Sequence, residues 1–227
     1  MNGIAHGPYT GIRWEDLPKE LGYCSSMTWW RRLRNWQAAG VWDKLHWRCW
    51  LGCANTIRLT GVAPGSTRQR GQPPGSGNWP KANGRGKLGS KRHIVVDASG
   101  VPLAITVLGA NRHDSTAFES TEAIPAVLGL DRRPRKRPRT LHADNGQEYT
   151  RCRRYLRKRG ITARIARKGI ESKDRLGRHR RAVGRTHSRF AGFGKLRIRF
   201  ERRLDSQKAL LSIAAAVITS RLVDDLC

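Results

Sequence analysis

Apolar and polar positions change rhythm several times along this 227-residue chain. Apolar side chains recur every three to four residues at Met27, Trp30, Leu33 and Trp36 or Gln37, with Arg31, Arg32 and Arg34 between them. That spacing predicts an amphipathic helix, and Gly40 suits its C-terminal stop. Val41, Trp42 and Leu45 begin a second helix. Two short helices about a glycine turn, basic on the outside, form a helix-turn-helix-like unit within a Trp-rich region from Trp14 to about Cys53. Any small helical hairpin gives the same pattern. From Gly61 to Ser90 the rhythm vanishes, with eight Gly and four Pro in thirty residues. A loop or linker is expected there, and a loop of that length inside a domain calls for an explanation.

Beyond Arg92 the pattern turns to strands. The β-branched run His93 to Asp97, the turn Ser99-Gly100 and the apolar run Val101 to Leu108 predict a β-hairpin. Thr140 to Asp144 reads as a third strand ending on an acid, and Ile161 to Ala166 as a fourth. Between them lies a basic helix from Tyr149 to Arg159, closed by Gly160. Helices follow at His179–Phe190 and Asp205–Leu222, the last with Leu210, Ile213, Ala216 and Val217 turned inward. Strands and helices in this order predict an α/β layer with a mixed sheet.

Charge changes the picture most. The chain has 45 Lys and Arg against 17 Asp and Glu, a formal net charge of +28. Residues 131–203 hold 27 of the basic and 6 of the acidic side chains, so a surplus of 21 sits there. A charge this far from zero repels itself, and a polyanion relieves the repulsion while releasing counterions. Arginine, which grips phosphate with two bonds, dominates. Nucleic acid is the natural partner. With 38% hydrophobic residues and eight Trp needing burial, a disordered basic tail is excluded. The longest nearly uninterrupted apolar run, Ala209 to Ile218, is about half of the ~20 residues a membrane-spanning helix needs. No basic-then-apolar start suggests export, so a cytoplasmic location is expected. Five Cys at irregular spacing fit a reducing compartment. His46, Cys49 and Cys53 could share a helix face, but without a CxxC pair a half-buried face is the better reading than a metal site.

Acids are scarce enough to be weighed singly. Asp144 follows a strand and precedes the turn Asn145-Gly146. Ligands of α/β sheets gather at the carboxyl ends of strands, and a carboxylate there among arginines suits a divalent metal that also touches phosphate. From position alone, an Asp that only caps the turn is the stronger alternative. Asp97 has a turn to shape, Asp114 a helix to cap, and Glu201 arginines beside it. Glu148, Glu171 and Asp174 lie in polar segments. No acid stands on the inward face of the helix at 179–190.

Several stretches together carry a family resemblance. They are Gly86-Lys-Leu-Gly-Ser-Lys-Arg-His-Ile-Val-Val-Asp-Ala-Ser-Gly-Val-Pro-Leu-Ala, Gly109-Ala-Asn-Arg-His-Asp-Ser, Leu141-His-Ala-Asp, and Arg178-His-Arg with Arg185-Thr-His. With the Trp-rich Met27-Thr-Trp-Trp-Arg-Arg-Leu-Arg-Asn-Trp-Gln-Ala-Ala-Gly-Val-Trp, they resemble bacterial insertion-sequence transposases of the DDE type, in the four/five group. The resemblance covers about residues 11–53 and 86–222. It implies a ribonuclease-H-like mixed sheet with flanking helices, preceded by a small N-terminal helical region. It also implies Mg2+-dependent cutting and joining of double-stranded DNA at element ends, with three carboxylates holding the metal. Asp144 takes the second acid position, as catalytic residue and metal ligand. Arg180 matches a basic residue one helical turn before the third.

The chain departs from that pattern at the other two acids. Gly184 stands where a Glu should precede Arg185-Thr-His187. The first acid, expected in an Asp-Ser context on a strand ahead of Gly86, has no counterpart between Gly61 and Ser90. Leu59-Thr-Gly61 and Gly65-Ser-Thr67 can be coded so that a neighbouring frame reads Asp-Trp and Leu-Asp, so residues 54–85 look like out-of-frame translation bounded by in-frame sequence, a hypothesis the nucleotide sequence tests. The expected organisation is a helical region over 1–58, a Gly/Pro-rich linker over 59–85 and a transposase-like domain over 86–222. DNA binding is expected through Arg153, Arg154, Arg178, Arg180 and Arg185, with cleavage lost or severely reduced. A homodimer is left open. Three alternatives stand: a non-catalytic protein occupying element ends, a nonspecific RNA-binding basic protein, and a product that folds poorly for want of a strand.

Overall fold

The computed structural model describes residues 2–18, 25–51, 61–70, 89–109, 113–115, 118, 127–128, 134–135, 137–143, 147–167, 173–197, 201 and 203–224. Of 2–5, 51, 61–70, 89, 127–128, 134–135, 173–180 and 223–224 it gives the backbone alone. The N-terminal region holds α1 (Asn2–Thr10), a 3-10 turn (Trp14–Asp16), α2 (Ser26–Ala38) and α3 (Val41–Leu51). Ser25 caps α2 with its side chain, accepting from the Thr28 N–H, and Gly40 ends the helix in the left-handed region at φ 68°.

Strands β1 (Gly61–Arg70), β2 (Gly89–Val96) and β3 (Pro102–Gly109) follow, then the two-residue β4 (Val127–Leu128) and β5 (Pro134–Arg135), then β6 (Thr140–Ala143). Helix α4 (Thr150–Lys158), β7 (Thr162–Ile165), α5 (Lys173–Ala191), the one-turn α6 (Gly194–Arg197) and α7 (Leu204–Asp224) complete the chain. The main sheet has five strands in the order β3-β2-β1-β6-β7. The first three are antiparallel neighbours, while β6 runs parallel to both β1 and β7. This is a mixed sheet between helices, an α/β arrangement.

One expectation fails here. Gly61–Arg70 is no loop: it is the middle strand of the sheet, pairing with β2 from Ala63↔Val96 to Arg70↔Gly89 and with β6 at Gly61↔Thr140 and Val62↔Leu141. The linker also gives way to strand again at Gly89. The remaining residues of the supposed linker, 59–60 and 71–88, lie outside the described residues. The physical reason is that backbone pairing on both edges fixes a strand whatever its side chains, whereas a pattern of apolar alternation is invisible where every few residues are Gly or Pro.

The hairpin forms as expected. Asp97 Oδ1 accepts from the N–H of Ser99 (2.9 Å) and Val101 (2.8 Å), and Gly100 takes φ 89°. α5 lies across one face against β1 and β2, and Thr186 Oγ1 donates to the Gly100 carbonyl at 2.7 Å. α7 packs on β3, α2 and α3. It is buried nearly all round: Leu210, Ile213 and Ala216 are inside, but so are Ala209, Leu211, Ala214, Ala215 and Ile218, while Val217 is only partly covered. Trp29, Leu33, Trp42 and Trp50 belong to the same core as Ile94, Leu103 and Phe190. The apolar faces of the helical pair are thus spent on packing, tightened by Trp42 Nε1 donating to the Leu33 carbonyl at 2.9 Å. Among the described residues no helix is long and apolar enough to cross a membrane.

Candidate functional site

Strand direction decides which chain segments meet. β1, β3, β6 and β7 all point the same way, so their carboxyl ends share one edge of the sheet. His113 and Ser115 meet the start of α4 there, through Tyr149 and Arg151. Asp144, with Asn145 and Gly146, lies outside the described residues. Its approach is well fixed: Leu141 and Ala143 are buried, and the Ala143 carbonyl accepts from Ala166 N–H at 3.0 Å.

Register then picks out a partner position. Directly opposed residues of neighbouring strands share a face. Arg92 lies on the α5 face, because its guanidinium stacks over the Phe190 ring at 4.8 Å and its Nη2 donates to the His187 carbonyl at 3.5 Å. Thr67 pairs with Arg92 and Gly65 with Ile94, so positions 65 and 67 belong to that face. The parallel register of β1 with β6, carried on, sets Pro64 level with Ala143. Gly65 is the next position on β1, as Asp144 is the next residue after Ala143 in the chain. Gly184 lies on α5, exposed, and a Cβ built there meets nothing within 4 Å.

The charged residues expected at the site divide. Arg153, half-buried, holds the edge together: its Nη2 donates to the Ile165 carbonyl at 3.0 Å and stands 3.8 Å from Glu148. Arg154 and Arg185 are exposed. Arg178 and Arg180 are in α5, their side chains outside the described residues. Arg92 was not singled out from the sequence. It is buried, its Nε and Nη1 have no hydrogen-bond partner among the described residues, and burial pulls its pKa down to about 10. A buried guanidinium with unpaired donors is costly, and no sequence signal beyond its place in a β-branched run could have revealed it.

Other groups at the carboxyl edge hold one another. Lys91 Nζ pairs with Asp114 at 2.9 Å, so Asp114 serves as an ion-pair partner rather than only as a helix cap. His113 Nδ1 accepts from Ser115 N–H at 3.2 Å, which leaves Nε2 to face the Tyr149 hydroxyl at 3.1 Å. Arg151 Nη2 donates to the Ser115 carbonyl at 2.6 Å. Of the remaining acids, Asp97 shapes its turn and Glu201 accepts from Trp14 Nε1 at 2.7 Å. Glu171 lies outside the described residues, as does the Asp174 side chain. Among the described residues no three His, Cys, Asp or Glu side chains cluster as a metal would need. His46 packs edge-on to Trp50 with its Nε2 at 3.0 Å from the Pro102 carbonyl, and burial lowers its pKa to about 4. Cys49 is partly covered, and Cys53 lies outside the described residues.

Comparison with known proteins completes the picture. Residues 62–218 match the family model described as "Transposase DDE domain", and residues 1–46 match "Putative transposase of IS4/5 family". The chain is 42% identical over 153 residues, 67% of its length and 71% of the relative's, to the "Putative transposase for insertion sequence element IS402" of Burkholderia cepacia. It is 61% identical over 46 residues, 20% of its length and 31% of the other's, to the "Insertion element IS402 uncharacterized 16.2 kDa protein" of the same organism.

Proposed function

Because this chain belongs to the DDE transposases of the IS4/5 family, we propose that it binds the DNA of an insertion element and has lost the power to cut it. The single observation that carries the loss is the glycine at each of two positions, one on the strand that pairs with β6 and one on the helix packed against that strand. Gly65 follows Pro64, the position level with Ala143, and it stands directly before Ser66, so the Asp-Ser context of a first acid survives with glycine in place of aspartate. Gly184 stands before Arg185-Thr-His187 on the helix packed against β1. Three antiparallel strands followed by two parallel ones, with α5 across them, support a ribonuclease-H-like fold with Gly65, Asp144 and Gly184 as its three acid positions.

Members of this family depend on divalent metal, and the donor set here does not fit one. Two ions about 4 Å apart need several anionic oxygens from different elements. Gly65 and Gly184 supply none, and β1 has no acid anywhere along its length. Arg92, buried on the α5 face of β2 with Nε and Nη1 unpartnered among the described residues, adds positive charge to that face. No chemical step is therefore assigned to this chain. DNA is the partner the charge supports, through the exposed Arg154 and Arg185 and through Arg178 and Arg180 on α5; Arg153 braces the edge. The organisation proposed is a helical region over 1–58 joined through 59–85 to the sheet domain over 86–222, with β1 contributed from within the joining segment.

The test is Mg2+-dependent nicking of element-end DNA by the purified chain beside its Asp144→Ala variant. Binding without nicks above the variant's background is expected. Robust cleavage abolished by Asp144→Ala would sink the claim of lost chemistry.

A further inference from the structure

The opposite edge of the sheet, where β6 and β7 begin and α4 ends, carries a second concentration of cations. We infer that Arg139, Arg157 and Lys158 form a duplex-DNA-binding surface of their own, separate from the edge to which Asp144 belongs. This rests on the reading that the chain binds DNA, and adds where it does so.

All three side chains are exposed, and none has an ion-pair partner among the described residues. The contrast with the other edge is what gives the cluster its meaning. There Lys91 is paired with Asp114, Arg153 reaches Glu148 and the Ile165 carbonyl, and Arg151 is bonded to the Ser115 carbonyl. Those cations are committed within the protein. Arg139, Arg157 and Lys158 are not.

The backbone beneath them is fixed. The Thr162 N–H donates to the Arg139 carbonyl at 3.0 Å, joining the entries of β6 and β7. Arg137 Nη1 donates to the Arg159 carbonyl at 3.2 Å and passes so close to Gly160 that a Cβ there would meet it at 2.9 Å. Gly160, at φ 63°, permits that closeness and turns the chain from α4 into β7. Three cations are thus held on a rigid corner rather than on a loose loop. Basic residues at a helix C-terminus complement its dipole, which accounts in part for Arg157 and Lys158. It does not account for Arg139, which lies before a strand. The nine residues of α4 separate the two edges by about 13 Å.

The experiment titrates the full chain with a short random-sequence DNA duplex, and separately with an RNA duplex of equal length, across about 50 to 200 mM salt and reads the slope of log K against log salt. Three proteins are compared: wild type, Arg139→Gln/Arg157→Gln/Lys158→Gln, and the equally charged but scattered Arg31→Gln/Lys44→Gln/Lys208→Gln. Each phosphate contact contributes about 0.9 to the slope, so the clustered variant should lose about 2.7 and bind roughly a hundredfold more weakly near 150 mM. The scattered variant should lose less than about one contact's worth. Arg139→Gln alone should lose about 0.9 and guards against a folding defect in the triple change. Wild-type binding with an unchanged slope in the clustered variant overturns this surface and leaves the proposed function standing. Equal losses in both triple variants overturn it as bulk charge, and a loss confined to an RNA duplex overturns it as a DNA site. A wild type that binds no duplex overturns both readings.

Discussion

Gly184→Ala should stabilise this protein. Gly184 lies inside α5, seven residues before its end, and is exposed. A Cβ there meets nothing within 4 Å, and its φ is not in the left-handed region. Nothing structural is then gained by glycine, while its conformational freedom in the unfolded chain costs about 0.5–1 kcal/mol relative to alanine in a helix interior. For a domain of this size that corresponds to a rise in Tm of roughly 1–4 °C. Urea unfolding followed by circular dichroism measures it, with an unchanged m-value showing that both end states are the same. Gly184→Glu should come close to the same gain, since glutamate is also a good helix former and the space is open. Destabilisation by alanine would mean that position 184 is crowded or non-helical, and the idea of a side chain lost from a helix with room to hold it would be refuted.

Two further outcomes test the frame that holds the site. Thr186→Val removes the 2.7 Å bond to Gly100 and leaves that buried carbonyl unpaired, so it should cost about 1–3 kcal/mol in urea unfolding; a neutral result would mean that α5 is not anchored to the hairpin turn. His46 and His93 both have pKa values lowered to about 4, chiefly by burial, so the unfolded chain takes up protons between the ordinary histidine value of 6.5 and 4 while the folded one does not. Their contribution is fully present above pH 6.5 and lost as pH falls towards 4, at most roughly 3 kcal/mol from each; a stability profile flat across that window, or one rising as pH falls, would contradict it.

What the sequence disclosed depended on whether side chains carried the signal. The hairpin about Ser99-Gly100, the basic helix closed by Gly160 and the apolar C-terminal helix were legible because alternation, turn residues and helix stops are local. β1 was not, because Gly61-Val-Ala-Pro-Gly-Ser-Thr-Arg-Gln-Arg70 has no alternation to read; its place comes from two neighbours distant in sequence. Gly184 could be recognised from Arg185-Thr-His187 alone, but Gly65 needed the strand register, although Ser66 beside it was a hint. Arg92 could not be found at all, since its burial comes from packing under Phe190 of α5, which is distant in sequence. The docking of α2 and α3 on α7 was equally hidden, because an amphipathic helix shows that it has a buried face but not what covers it.

The central claim, that two missing carboxylates and not a damaged scaffold separate this chain from metal chemistry, is met most directly by cation titration. Mn2+ binding to the wild type, to Gly65→Asp/Gly184→Glu and to that double variant with Asp144→Ala would be followed by calorimetry. The account predicts no saturable binding by the wild type, binding by the double variant, and its loss when Asp144 is removed. Saturable Mn2+ binding by the wild type that disappears with Asp144→Ala would contradict it.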